Sequence, residues 1–327
     1  MSLTSKIATR FIKAPLSEDD LNLISETLAK GELVILPTET VYGLAADAFS
    51  EQAIASIFLA KQRPSTNPVI VHIASFDSLD ALVSDIPDDA KILADAFWPG
   101  PLTMIFKKSS RLPSIVCGGG TSVGIRIPRQ ESTLKIIKKF GPLAAPSANI
   151  YTELSPSAVP QLSSKLLKSV TIVVDAGATE VGIESTVISV IDNDLRLLRP
   201  GMISKTQIEA IIGKPIAYIN QHLEDKEERA SPGLAKKHYS PRTPVRLGLP
   251  TPGIGKIGFI SHHHAATSFV DQWIQLPNDA AGYAAGLYAA MHDLDHLELD
   301  WIYIQPLPDE DAWRAIRDRI ERASCED

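Results

Sequence analysis

Four cations stand where the chain is otherwise apolar or stiffened by proline: Lys61 and Arg63 in AKQRPSTNPVIVHIAS, Arg126 in VGIRIP, and Arg199 in LRPG. An arginine set within an apolar strand is costly unless an anion meets it. Hydroxyls of Thr38, Thr40, Ser122, Ser147, Ser157 and Ser185, and the amides of Asn67 and Asn149, recur in the same short stretches. Such a set suits recognition of phosphate together with carboxylate through charge-assisted hydrogen bonds. Pro64 and Pro68 stiffen the backbone behind Lys61 and Arg63, which reduces the entropy lost when those cations close on an anion. Taken singly, PTET reads as a turn, APSAN as a helix cap and LRPG as a β-turn; only their combination points to a site.

Other chemistries are poorly served. GIGKIG, Gly253 to Gly258, has the letters of a dinucleotide loop. That loop should follow a strand and open a helix, whereas this one follows LPTP and runs into the apolar FIS, so it reads as a turn before a strand. HDLDH, His292 to His296, resembles a zinc-binding helix. Asp293 is too short to work as the glutamate of that motif does, and no third ligand is evident; a solvated helix face is expected. His262, His263 and His264 are adjacent, diverge in direction and read as a loop after a strand. Neither a G-x-x-x-x-G-K-[ST] loop nor a G-x-S-x-G elbow is present.

The cations need rigid mounts, and the pattern supplies them. SEDDLNLISETLAKG reads as a helix capped by Ser17, with acids in its first turn and Gly31 at its end. ELVILP follows as a strand. Helix and strand then alternate through SEQAIASIFLAK, PVIVHI, DDAKILADAF, LTMIF, VGIRIP, ESTLKIIKKF and VTIVVDAG. STVISVIDNDLRLLRP reads as a hairpin around Asp192 and Asn193, so an α/β fold with a mixed sheet is expected. After SKTQIEAIIG the chain becomes charged and aperiodic, as a linker does; KIGFIS, DAAGYAAGLYAAMHDLDHL, WIYIQ and DAWRAIRDRIERA then make a small second α/β domain. The expected division is residues 1–212, a linker 213–244, and 245–327.

With 327 residues, two domains are expected more readily than one. Two cysteines, Cys117 and Cys325, exclude a disulfide framework and fit a reducing cytoplasm. There is no membrane-length apolar run and no secretory leader pattern. A net charge of −7 argues against a surface built to hold nucleic acid, while leaving room for a local cationic pocket.

In order along the chain, PTETVYGL, KQRPSTNPVIVHI, WPGPLT, SVGIRIP, APSAN, GIESTV and LRPG closely resemble the YrdC-like threonylcarbamoyl-adenylate synthases, and SPGLAKKHYSP with the terminal domain resembles their long, two-domain form. The resemblance implies a YrdC-like N-terminal domain with a mixed twisted sheet and a small Rossmann-like C-terminal domain. It implies synthesis of threonylcarbamoyl-AMP and pyrophosphate from L-threonine, bicarbonate or CO2, and ATP. A downstream transferase would then modify the tRNA adenosine beside the anticodon. Carried over by motif, Thr40, His72, Arg126, Ser147 and Ser185 would bind threonine, and Lys61, Arg63, Asn67, Ser122, Asn149, Ser157 and Arg199 would contact ATP. Mg2+ would accompany the triphosphate rather than occupy a protein-built cage. His72 reads equally as a core histidine bonded to backbone. Lys237, His238 and Tyr239 are either a lid over the nucleotide or part of a plain tether. After Asn149 the chain reads IYTELSPSA where many relatives carry a glycine and a basic residue, a departure that bears on the ATP contacts of Ser155 and Ser157. The alternative reading is an RNA-binding module without catalysis, whose affinity would fall steeply with salt.

Overall fold

In a computed structural model of the chain, the residues described are 8–219, 239–253, 255–263 and 268–324. Lys237, His238 and His264 lie outside them.

The N-terminal region is built on one mixed sheet. Its strands are β1 (Arg10–Lys13), β2 (Val34–Leu36), β3 (Gly43–Asp47), β4 (Ile70–His72), β5 (Leu102–Lys107), β6 (Ser122–Arg126), β7 (Leu143–Ala144), β8 (Ile172–Asp175), β9 (Thr186–Ser189), β10 (Arg196–Arg199) and β11 (Ala217–Tyr218). Their spatial order is β1-β8-β2-β3-β7-β4-β6-β5-β9-β10-β11. β4 and β6 are parallel, β2–β3 and β9–β10 antiparallel, so the sheet is mixed as expected.

The helices here are α1 (Glu18–Ala29), α2 (Glu51–Lys61), α3 (Asp88–Phe97), α4 (Glu131–Phe140), α5 (Ser164–Leu167) and α6 (Lys205–Ile212). α1 starts where Ser17 and Asp20 form a reciprocal capping box, which satisfies two otherwise orphaned amides. Leu21, Ile24 and Leu28 of α1, with Ile136 and Ile137 of α4, pack on Val34, Leu36, Ile172 and Val174. On the opposite face Ile54 and Ile57 of α2, Leu93 of α3 and Ile208 of α6 join the cluster that holds Ile35, Leu44, Val71, Ile125 and Ile188.

The C-terminal region has four parallel strands, β12 (Val245–Leu247), β13 (Ile257–Ser261), β14 (Gln272–Gln275) and β15 (Trp301–Ile304), in the order β12-β15-β13-β14. α7 (Ala280–Asp295) and α8 (Arg314–Ser324) flank them. The two regions share a core: Val41, Leu154 and Ile183 lie in one buried cluster with Leu287, Tyr288, Ile316 and Ile320. Gly182 marks how close they come. Its φ is +77°, and a Cβ there would meet Ala285 Cα at 2.6 Å on α7.

Candidate active site

Side-chain alternation opens a hollow on one face of the large sheet. Val71 and Ile125 point into the helix-covered core. Their neighbours therefore point the other way: Ile70 and His72 on β4, Gly124 and Arg126 on β6. His72 and Arg126 are register partners on adjacent strands, so both project from the same face. Gly124 adds no side chain between Ile70, Thr103 and Ile105, whose atoms would stand 3.2–3.3 Å from a Cβ placed there.

The hollow, about 540 Å³ including the space at its open mouth, is lined by Thr38, Thr40, Val41, Gly43, Arg63, Ile70, His72, Arg126, Ala145, Pro146, Ser147, Glu184, Ser185, Arg199 and Tyr239. All five residues expected at threonine line it, together with Arg63, Arg199 and Tyr239 from the nucleotide and lid sets. Thr38 and Thr40 come from the loop between β2 and β3, where the Thr38 hydroxyl donates to the Val41 carbonyl at 2.6 Å. Ser147 follows β7 and bridges to Gly43. Ser185 precedes β9 and Arg199 ends β10.

Arg126 is fixed on three sides. Nε donates to the Gly100 carbonyl at 3.2 Å, Nη1 to Thr40 Oγ1 at 2.9 Å, and Nη2 lies 2.7 Å from Glu39 Oε1. The last contact is an ion pair without hydrogen-bond alignment, and Nη2 has no hydrogen-bond partner among the described residues. His72 Nδ1 is likewise buried without one. Burial and then the Arg126 charge push the His72 pKa down to about 3, so the ring is neutral.

Arg63 follows Gln62, a left-handed helix cap at φ 54°, and its Nη2 donates to the Pro68 carbonyl at 2.8 Å. Arg199 donates from Nε and Nη2 to the Ser185 carbonyl at 3.2 and 2.9 Å, and from Nη2 to Ser185 Oγ at 3.2 Å. Ser185 Oγ also meets Thr103 Oγ1 at 2.7 Å.

The other expected nucleotide contacts sit behind or beside this hollow. Lys61 turns its ammonium into the turn after β7, donating to the carbonyls of Ser147 and Asn149 at 2.5 and 2.6 Å. Burial, and then Arg63, hold its pKa well below the usual lysine value. Asn149 donates to the carbonyls of Ile150 and Glu153 and lines a second hollow. Ser157 Oγ bonds Gln161 Oε1 at 3.1 Å, Asn67 is buried after the Pro64 turn, and Ser122 opens β6 beside Lys107. Ser155, whose ATP contact the motif departure put in question, spends its hydroxyl on Glu184 Oε1 at 2.6 Å.

Two acids outside the expected site residues, Glu39 and Glu184, hold the arginines in place. Glu39 backs Arg126 and accepts from the Arg129 amide at 3.0 Å. Glu184 faces the hollow and meets Arg319 of α8 at 2.8 Å. Both were visible as letters in PTET and GIEST, but their partners lie 87 and 135 residues away.

The decoys resolve simply. HDLDH is a solvated face only in part: exposed His296, which caps α7, contacts the His292 carbonyl through Nδ1, but His292 is partly buried because it packs on the N-terminal region, its Nε2 contacting the Ser155 carbonyl at 3.3 Å. No cluster of three or more His, Cys, Asp or Glu able to hold a metal occurs among the described residues. Gly253 and Gly255 lie in a turn before β13, as expected.

Residues 26–201 match a family model, Sua5_yciO_yrdC, described as "Telomere recombination". Residues 203–325 match a second, described as the threonylcarbamoyl-AMP synthase C-terminal domain. The chain is 32% identical to the threonylcarbamoyl-AMP synthase of Pyrococcus abyssi, covering 96% of each. It is 37% identical to that of Bacillus subtilis, covering 91% of this chain and 90% of the relative. The chain belongs to the Sua5-type threonylcarbamoyl-AMP synthase family. Among solved structures, P. abyssi Sua5 complexed with L-threonine superposes on this Sua5-type chain with a TM-score of 0.87 at 32% identity, over 97% of both.

Proposed function

We propose that the hollow makes threonylcarbamoyl-AMP and pyrophosphate from L-threonine, bicarbonate or CO2, and ATP. The observation that carries this reading is a pair of buried atoms without a hydrogen-bond partner among the described residues, the Glu39-paired Arg126 Nη2 and His72 Nδ1, in the same hollow as Arg63 and Arg199. A carboxylate at Arg126 satisfies Nη2 by a charge-assisted bond and lies against Thr40, Ser147 and Ser185. Arg63 and Arg199 supply fixed positive charge for phosphate nearby.

Bicarbonate yields CO2 by losing hydroxide, which a proton converts to water. The threonine amine adds to CO2 and releases a proton, giving a carbamate. A carbamate oxygen then attacks the α-phosphorus; the bond from that phosphorus to the α,β-bridging oxygen breaks and pyrophosphate leaves, carrying that oxygen. No covalent protein nucleophile enters. The chain's task is positioning and charge stabilisation, the dominant needs of such a transfer. The neutral His72 ring packs and hydrogen-bonds without adding charge beside Arg126.

Lys61, Asn67, Ser122, Asn149 and Ser157 belong to the nucleotide set in this reading, with Lys61 acting through the carbonyls that shape the Ser147–Asn149 turn. Mg2+ arrives with the triphosphate. Glu39 and Glu184, the acids nearest the hollow, are committed to Arg126 and Arg319 and make no cation cage. No described helix is long and apolar enough to cross a membrane. The reading carries with it a cytoplasmic location and a downstream tRNA threonylcarbamoyl transferase. A non-catalytic RNA-binding module is not favoured, because Arg63, Arg126 and Arg199 are buried and face inward.

The test is pyrophosphate release from ATP and bicarbonate with and without L-threonine. Release should depend on threonine; release indifferent to it sinks the reading.

A further inference from the structure

Glu184 is a buried carboxylate on the wall of the hollow, and such a charge is costly unless paired. Much of its pairing comes from the other domain. Oε2 accepts from Tyr288 of α7 at 3.0 Å and from Arg319 Nε of α8 at 2.8 Å, while Oε1 accepts from Ser155. Burial alone would raise the Glu184 pKa; Arg319 and then Arg199 hold it below the usual value.

The rest of the Arg319 guanidinium is spent on the same wall. Nη2 donates to the Pro200 carbonyl at 3.1 Å, directly after Arg199. The guanidinium lies 5.0 Å over the Tyr239 ring, and that ring is stacked on Tyr288. Nη1 donates to Asp318 at 2.5 Å, and Asp318 is held in turn by Arg322. Arg319 has no exposed side-chain surface, so it touches the wall of the hollow and not its contents.

We propose that Arg319, although it belongs to the C-terminal helix, is a positioning residue for the nucleotide side of the hollow, fixing Glu184, the Arg199 turn and Tyr239 together. This rests on the synthase reading above. The threonine carboxylate is gripped from Arg126, which shares none of these contacts; of the threonine set only Ser185 borders them, through Arg199. The expected signature is therefore a split between the two ligands.

Arg319→Lys keeps the charge but loses the planar fork, so one ammonium cannot serve both Glu184 and Pro200. Its KM for ATP and its equilibrium Kd for ATP should rise about tenfold or more, with the Kd for L-threonine within about twofold of wild type. Tyr288→Phe, which removes one hydroxyl, should shift ATP affinity the same way by about threefold. Should Arg319→Lys not fold, the neutral pair Glu184→Gln/Arg319→Met removes the unpaired charge; it should recover thermal stability without recovering ATP affinity. Folded variants with wild-type ATP affinity, or with both ligands weakened equally, overturn the positioning role. Wild-type protein that binds ATP and threonine yet releases no pyrophosphate overturns the reaction instead, and the ATP-binding comparison still decides Arg319.

Discussion

Arg126 and Glu39 form a buried pair, and the Arg126 guanidinium nonetheless keeps hydrogen-bonding capacity at Nη2 for a ligand. Removing the cation leaves Glu39 buried without its counter-ion, so Arg126→Ala should destabilise the fold by about 3–5 kcal/mol in urea unfolding. In the double variant Arg126→Ala/Glu39→Gln most of that loss should return. Threonine affinity, read by calorimetry, should stay more than about tenfold weakened while ATP affinity changes less; equal loss of both contradicts the division of roles. His72 gives a pH signature. Its folded pKa of about 3 lies below its ordinary value of 6.5, so it stabilises the fold above pH 6.5 and that contribution fades as pH falls toward 3. The expected slope is about 1.4 kcal/mol per pH unit below 6.5. His292, also lowered by burial, adds to it. His72→Gln should flatten the profile between pH 6 and about 5; an unchanged slope would mean that the ring is protonated in the folded protein.

At the scale of elements, Gly182 sets the approach of the Glu184 loop to α7. Gly182→Ala combines a left-handed backbone with a collision against α7, and should cost about 2 kcal/mol or more, read as a lowered midpoint of thermal unfolding. A midpoint within error of wild type would mean that the loop does not bear on the helix. α1 was legible from Ser17, its acidic first turn and its apolar spacing, and the β9–β10 hairpin from Asp192 and Asn193. β3 was not: GLAAD lacks the β-branched and aromatic residues that announce a strand, and it pairs because the β2 backbone lies beside it. β1 escaped for a related reason, since RFIK sits in a charged segment and gains its strand character from β8. The hook at Lys61 and Arg63 was legible as charge but not as direction. α2 ends at Lys61, the left-handed Gln62 reverses the chain, and the two cations diverge, one into carbonyls and one into the hollow. Glu39 and Glu184 could not be assigned from local letters because their meaning depends on Arg126 and Arg319, which only folding brings near.

At the scale of the whole molecule, one buried cluster draws side chains from both sheets, so neither region completes its core alone. Calorimetric unfolding should therefore show a single cooperative transition with equal calorimetric and van't Hoff enthalpies; two resolved transitions would show that the regions are energetically separate. Tyr239, the first described residue of the C-terminal stretch, belongs to this seam: it holds φ +60°, which a tyrosine adopts only when packing compels it, here from Tyr288 and Arg319. The seam also constrains how the protein can be recombined. A chimera that joins this N-terminal half to a foreign C-terminal half must inherit a guanidinium at the place of Arg319. Without it, the graft would strand the Glu184 charge in a dry joint, and the hybrid would fail through its neighbour's wall although every residue that grips threonine were intact.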